Sequence, residues 1–324
     1  MSDIHLVTGG CGFIGSNCVH RLVAKGKRVR IFDNLSSGNR DNLDGIEAEV
    51  EFIEGDLRDA AAVRNAMRGV RHVFHFAATA SVQASVEDPA TTHDINLTGT
   101  LNALIAARDV GVDRFILASS ASVYGNSPEM PKREDMMPEP LTGYALTKLS
   151  GEYYGRVFHD LYGLQFYALR YFNVFGPRQN PGSHYASVIP LFMRAYLSGR
   201  QPIIYGDGEQ TRDFTFVEDV IEANLQCLSA PSSSSGNAYN IAYGNRISIN
   251  ALGTAIAKLV GMPYEPEYRP ARQGDIRESQ ADASLAERVL RWMPAQTFED
   301  GLLATFNWFK IYQMKSTPAP SGSV

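Results

Sequence analysis

Ile4-His5-Leu6-Val7-Thr8-Gly9-Gly10-Cys11-Gly12-Phe13-Ile14-Gly15 reads as a short β run, a glycine turn and the opening of an apolar-periodic helix that reaches about Lys25. In that order the glycines let the backbone come close to a pyrophosphate, and the first N–H groups of the helix point at it. Gly9, Gly12, Phe13, Ile14 and Gly15 are therefore the candidate ligands of a dinucleotide. The glycine string alone is a common one; the strand before it, the helix after it and an acid downstream make it specific. Arg28 to Phe32 reads as the second strand, and Asp33 closes it about 20 residues beyond the glycines. A carboxylate there accepts from adenosine ribose hydroxyls and repels a 2′-phosphate, which selects NAD over NADP. A plain strand-end turn at Asp33-Asn34 is the simpler alternative.

The alternation of strand and helix continues. Val50 to Ile53 leads into Gly55-Asp56-Leu57, where an acid can hydrogen-bond an adenine amine; Asn34, Asp56 and Leu57 join the cofactor candidates. A helix from about Asp59 to Arg68 returns to a strand at Val73 to Phe76. Ala77 and Ala78 then leave room for a cofactor lying close to the backbone. A helix is expected from about Pro89 to Val110, with Pro near its start and Gly111 past its end. Asn96 inside it is either an exposed amide or one that faces the sheet near the nicotinamide. Phe115 to Ala118 is the next strand, and it ends in Ser119-Ser120-Ala121-Ser122, hydroxyls placed where a parallel sheet binds its ligand.

Tyr144 and Lys148 stand four residues apart on the following helix and so share a face. A phenol of pKa about 10 must be lowered to act as a base near neutrality, and an ammonium beside it acts in that direction. Spacing of this kind is more often surface decoration; its convergence with the Ser119–Ser122 hydroxyls at one sheet edge favours chemistry. After Tyr167 to Tyr171 the pattern loosens into loops rich in Gly, Pro and Asn, a short strand at Ile203 to Tyr205, a helix from about Val217 to Ser229 and a Pro-Ser linker at Pro231 to Gly236. The expected class is α/β, a doubly wound parallel sheet with a smaller, mostly C-terminal lobe.

The chain has 324 residues and a formal net charge of −5, with basic residues scattered rather than clustered, which gives no footprint for nucleic acid. Cys11, Cys18 and Cys227 form neither a CxxC pair nor an even set, so buried thiols in a reducing compartment are expected, and no metal site. No signal-peptide pattern or membrane-length apolar run is seen, and a cytoplasmic location is expected. Residues 316–324 read as a disordered tail.

With Gly9-Gly10-x-Gly12-x-x-Gly15, Asp33, Ser120 and Tyr144-x-x-x-Lys148 in place, the chain resembles the extended short-chain dehydrogenase/reductases, and among them the nucleotide-sugar 4-epimerases. The likeness runs from Ile4 to about Trp308 and includes Arg170 to Pro177, Tyr205 to Phe214 and Arg272-Gln273-Gly274-Asp275. It implies a Rossmann-type NAD domain over residues 1–175, rejoined by about 212–245, and a nucleotide-sugar lobe from 176–211 and 246–315. It also implies that Ser120 hydrogen-bonds the sugar O4, that Tyr144 is the base, and that Lys148 modulates it and holds a cofactor ribose. Asn173, Arg212 and Arg272 match diphosphate positions and Asp275 a uridine-ribose position; Val188 and Tyr205 join the substrate set. Guanidinium forks suit phosphate oxygens.

Related 4,6-dehydratases carry an Asp-Glu pair just after the hydroxyl, and uronate decarboxylases a Glu; here the positions hold Ala121 and Ser122. What remains is epimerisation of a UDP-sugar through a 4-keto intermediate. Galactose-type epimerases gate the C2 substituent at a position that matches Ser279, where a tyrosine would exclude an N-acetyl group. Ser279, with Ser81, Ser119, Ser120, Ser122 and Gln83 as polar partners, leans to UDP-N-acetylglucosamine/galactosamine or the corresponding uronate over UDP-glucose, with UDP-glucuronate also open. A homodimer through the helices at Pro89 to Val110 and Tyr144 to Tyr162 is implied as well, although their apolar residues suit packing on the sheet equally.

Overall fold

The computed structural model describes residues 3–180, 187–271 and 277–316. Seven parallel strands form one sheet: β1 (Ile4–Thr8), β2 (Arg28–Asp33), β3 (Val50–Glu54), β4 (Val70–His75), β5 (Arg114–Ser120), β6 (Gln165–Tyr171) and β7 (Asn237–Ile241). Their order is β3-β2-β1-β4-β5-β6-β7, so the chain steps outward from β1 on one side and then restarts on the other. The inner strands β1, β2, β4, β5 and β6 are buried along nearly their whole length, as a parallel sheet covered on both faces requires, while the edge strand β3 has no buried residue. On one face Leu6, Phe32, Val73, Phe115 and Phe166 pack beneath Ala103, Leu104 and Phe158; on the other Val7, Ile31, Phe74 and Ile116 meet Cys18, Val19 and Leu22.

The helices that matter for the site are α1 (Phe13–Ala24), α2 (Ala60–Ala66), α3 (Gly99–Val110) and α4 (Gly143–Tyr162). Asp59 caps α2 through the Ala61 and Ala62 N–H groups, and the Thr142 hydroxyl caps α4 by accepting from Ala145 N at 3.2 Å. The expected single helix from Pro89 to Val110 is instead three joined pieces. An α turn at Pro89–His93 passes through a π-helical turn at Asp94–Thr98 into α3, which ends at Gly111 in the left-handed conformation.

Beyond β6 the chain builds small elements that face the ends of the strands. Val174–Phe175 pairs with Thr215–Phe216, Thr211–Arg212 with Ile247–Ser248, and Ile203–Tyr205 with Glu267–Arg269. Helices at Val188–Leu197, Val217–Gln226, Ile249–Val260, Ser284–Leu290 and Phe298–Ser316 support them. The helix expected to reach Ser229 stops at Gln226.

The Pro231–Gly236 stretch is packed rather than a linker. Ser235 Oγ accepts the Phe166 N–H at 2.8 Å, and the Tyr239 hydroxyl donates to Ser234 O at 2.6 Å, so the stretch is bonded to both β6 and β7. All three cysteines are buried free thiols. Among the described residues no helix is long and apolar enough to cross a membrane.

Candidate active site

An open parallel sheet binds its ligand beyond the carboxyl ends of the strands where their order reverses, here between β1 and β4. Gly9 follows β1 with φ of 67°, and a Cβ there would lie 2.8 Å from Ala77 N and Cα. A Cβ on Gly15 would stand 2.0 Å from the Gly9 carbonyl oxygen. Only glycine fits either place, so the turn closes tightly onto the head of α1. That helix starts behind Gly12 with no side-chain cap and no acid in its first turn, which leaves its leading N–H groups for an anion. The cradle fits a dinucleotide pyrophosphate.

Asp33 is buried beside this turn. Its Oδ2 accepts the Cys11 N–H at 2.9 Å and its Oδ1 the Leu35 N–H at 2.8 Å, so the carboxylate fixes the glycine loop and each oxygen retains a lone pair for a ribose hydroxyl. Asn34 donates to Asp56 at 3.0 Å. Arg58 closes a fork on the same carboxylate at 2.9 and 2.8 Å and holds it well below the usual carboxylate range. Leu57 is buried, and Ala77 and Ala78 are half-buried at the mouth of β4.

Asn96 is a buried amide rather than an exposed one. It is 3% exposed, accepts the Thr79 N–H at 2.7 Å and donates to Thr79 O at 3.1 Å and to the Thr147 hydroxyl at 3.2 Å. The π-helical turn thus ties the loop after β4 to the first turns of α4.

Ser120, Tyr144 and Lys148 converge. Burial raises the Tyr144 phenol above its ordinary value, and the Ser120 hydroxyl beside it acts in the opposite direction. Ser120 Oγ accepts the Ser122 N–H at 3.1 Å, while Ser122 Oγ is buried with no partner among the described residues. Lys148 is buried, with Nζ 5.8 Å from the Tyr144 ring centroid and 2.8 Å from the Ala118 carbonyl to which it donates. Burial lowers its ammonium to about 8, with Glu152 pulling the other way.

Ser119 is not in the substrate set, because successive strand residues face opposite ways and its hydroxyl donates to Glu152. Glu152 carries the fork of Arg170, and Arg170 Nη1 donates to the Tyr124 hydroxyl at 2.9 Å, which in turn donates to Asn240 Oδ1 at 2.6 Å. Sequence reading missed this buried network. Its one local signal is that Glu152 lies a turn beyond Lys148 on the face shared with Ala145 and Leu149. Ser81 is occupied as well: its hydroxyl accepts the Ala84 N–H at 3.0 Å and caps the helix Val82–Glu87.

Asn173, Val188, Tyr205 and Arg212 come together around a cavity of about 290 Å³, with Phe175, Phe192 and Phe214 among its other walls. Gln210, also in the wall, has a buried Oε1 without a partner among the described residues. An apolar pocket with an arginine and an unsatisfied amide suits a base joined to phosphate. Ser279 lies in a stretch tied down on both sides. Thr211 N donates to Arg277 O at 2.9 Å, Gln280 Nε2 to Gly244 O at 2.8 Å, and Ala281 N to the buried Asp213 carboxylate at 3.1 Å. Arg272 and Asp275 lie outside the described residues.

A model of the NAD dependent epimerase/dehydratase family matches residues 5–242. The UDP-glucose 4-epimerase of Mycolicibacterium smegmatis is 40% identical over 309 residues, covering 94% of this chain and 98% of that one. Among solved structures, the UDP-N-acetylglucosamine 4-epimerase of Methanobrevibacter ruminantium, in complex with UDP-N-acetylmuramic acid, superposes with a TM-score of 0.91 at 40% identity, over 97% of this chain and all (100%) of that one. The Thermus thermophilus UDP-glucose 4-epimerase complex with NAD does so with a TM-score of 0.86 at 36% identity, over 95% and 99% of the two chains.

Proposed function

The chain belongs to the NAD dependent epimerase/dehydratase family, and from that membership we propose that it interconverts the C4 epimers of a UDP-sugar, with UDP-N-acetylglucosamine and UDP-N-acetylgalactosamine, or the corresponding uronates, as preferred substrates. The observation that carries the reading is the placing of the Ser120 hydroxyl and Lys148 beside the Tyr144 phenol, with uncharged Ala121 and Ser122 where elimination or decarboxylation would need an acid.

NAD, held by the Gly9–Gly15 turn and Asp33, supplies a reversible hydride acceptor when bound. Tyr144 removes the proton from the sugar O4 and returns it, and Ser120 fixes the hydroxyl through which that proton passes. Lys148 keeps positive charge near the phenol and stays anchored on Ala118. A 4-keto sugar must turn over before it is reduced on its other face, so the nucleotide is held firmly and the sugar loosely. The cavity walled by Asn173, Val188, Tyr205 and Arg212 supplies the firm part. Redox balance over the cycle favours retention of NAD.

UDP-glucose is the second reading, favoured by the activity named for the M. smegmatis relative. Ser279 separates the two, since a small side chain there leaves room for an acetamido group. Proton NMR of the purified protein with UDP-N-acetylglucosamine, UDP-glucose and their uronates, with no added cofactor, tests both. A galacto-configured product without net NADH supports the reading; a stable keto or pentose product, or no conversion even with NAD added, refutes it.

The assembly proposed with it is a homodimer. Leu146, Tyr153, Val157 and Leu161 form an exposed apolar stripe on α4, on the side away from the sheet.

A further inference from the structure

At the amino ends of the strands, opposite the crevice, the pairing of β1 and β4 is irregular. Ile4 pairs with Val70 but His5 with His72, so Arg71 is an extra residue in β4. The bulge brings His72 level with His5 on the sheet face that α1 covers. Asp3 stands two residues before His5 and therefore points to the same face. The two imidazole Nδ1 atoms lie 3.3 Å apart, and one ligand atom from each of Asp3, His5 and His72 falls within 4.8 Å of the others.

We propose that Asp3, His5 and His72 form a binding site for a divalent d-block cation such as zinc, tying the start of the chain to β4. The spacing of the nitrogens carries the argument. With Zn–N bonds of about 2.0–2.1 Å, two imidazoles on a tetrahedral ion sit roughly 3.3–3.4 Å apart, the separation already present. As a hydrogen bond the same 3.3 Å is long, and among the described residues the His5 ring makes no other polar contact, its Nε2 being buried without a partner there. Both rings are buried, His5 at 1% and His72 at 9%, and burial keeps them in the neutral form that binds metal. Asp3 is exposed and held only loosely by Arg71 at 3.4 Å. Arg71 has its close partner in Asp113 at 2.6 Å, so the Asp3 carboxylate can turn onto an ion without stranding the guanidinium. Imidazole with a single carboxylate selects zinc, cobalt, nickel or copper over magnesium and calcium.

The experiment titrates chelator-stripped protein with cobalt and then zinc. One cobalt per chain is expected, with the ligand-field bands of a four-coordinate ion, displaced stoichiometrically by zinc. Asp3→Asn is expected to weaken binding at least tenfold and His72→Gln to abolish it, with NAD content unchanged in both. Absence of stoichiometric uptake, or uptake equal in wild type and both variants, overturns the proposal. Should His72→Gln fail to fold, Asp3→Asn, at an exposed position, decides the matter alone.

Discussion

Arg170 grips Glu152 through two parallel bonds, Nη2 to Oε2 at 2.7 Å and Nε to Oε1 at 3.0 Å, with both side chains about 6% exposed beneath the Ser119–Ser120 end of β5. A buried guanidinium deprived of its carboxylate is left uncompensated. Glu152→Ala is therefore expected to cost about 3–5 kcal/mol of stability, measured by urea denaturation. Glu152→Gln keeps the volume and removes the charge that raises Lys148, so the alkaline limb of the pH–rate profile should move to lower pH. An unchanged limb would show that Lys148 does not titrate in turnover.

Tyr144→Phe removes the phenol oxygen and leaves the ring in place. Turnover is expected to fall by roughly 10²–10⁴-fold, the usual worth of a positioned acid–base group. Absorbance of the isolated variant should still report bound NAD. Turnover near the wild-type rate would take Tyr144 out of the chemistry.

His75 is buried under the site, with Nδ1 2.9 Å from the Thr8 hydroxyl and Nε2 3.0 Å from that of Thr100. Burial, helped by Lys148, lowers it to about 3, so it stays neutral in the folded protein while the unfolded chain takes up a proton near 6.5. Its contribution is complete above about 6.5 and is lost as pH falls toward the folded value, at about 1.4 kcal/mol per pH unit. His75→Gln, which can bond both threonines, should flatten the stability–pH curve between pH 6 and 4 by about one proton's slope. Parallel curves would contradict this.

Val157 and Leu161 are 46% and 69% exposed in the α4 stripe. Val157→Glu and Leu161→Glu are expected to weaken self-association at least tenfold by light scattering, with the fold intact by circular dichroism. A wild-type protein that is monomeric at all concentrations would remove the dimer.

What the sequence makes legible is local. The glycine turn, Asp33 and the Tyr144–Lys148 pair announce themselves because a turn, a strand end and one helical turn set their geometry within a few residues. Asn173, Val188, Tyr205 and Arg212 came through resemblance, and the fold gathers them in one cavity. Glu152 was not legible as a buried acid, since its partner Arg170 lies on the next strand and a helix glutamate looks the same whether paired or solvated. Ser119 and Ser120 look equivalent until strand alternation sends one to Glu152 and the other to Tyr144. Ser232–Ser235 has linker composition, but its hydroxyls bond to neighbouring backbone and side chains. Residues separated by 67 positions, such as His5 and His72, meet only through a strand bulge that leaves no pattern behind.

The π-helical turn at Asp94–Thr98 works as a phase shifter. A turn closed five residues back holds one residue more than an α-helical turn, and each residue advances a helix by about 100°. The turn itself, which carries Asn96 toward Thr147, and α3 beyond it, whose Ala103 and Leu104 pack on the sheet, each meet their own neighbours because that extra residue offsets the two faces. Deleting a single residue anywhere in Asp94–Thr98 would leave a regular helix and rotate one face out of contact. Length here is as constrained as residue identity, so the segment should tolerate substitution far better than insertion or deletion.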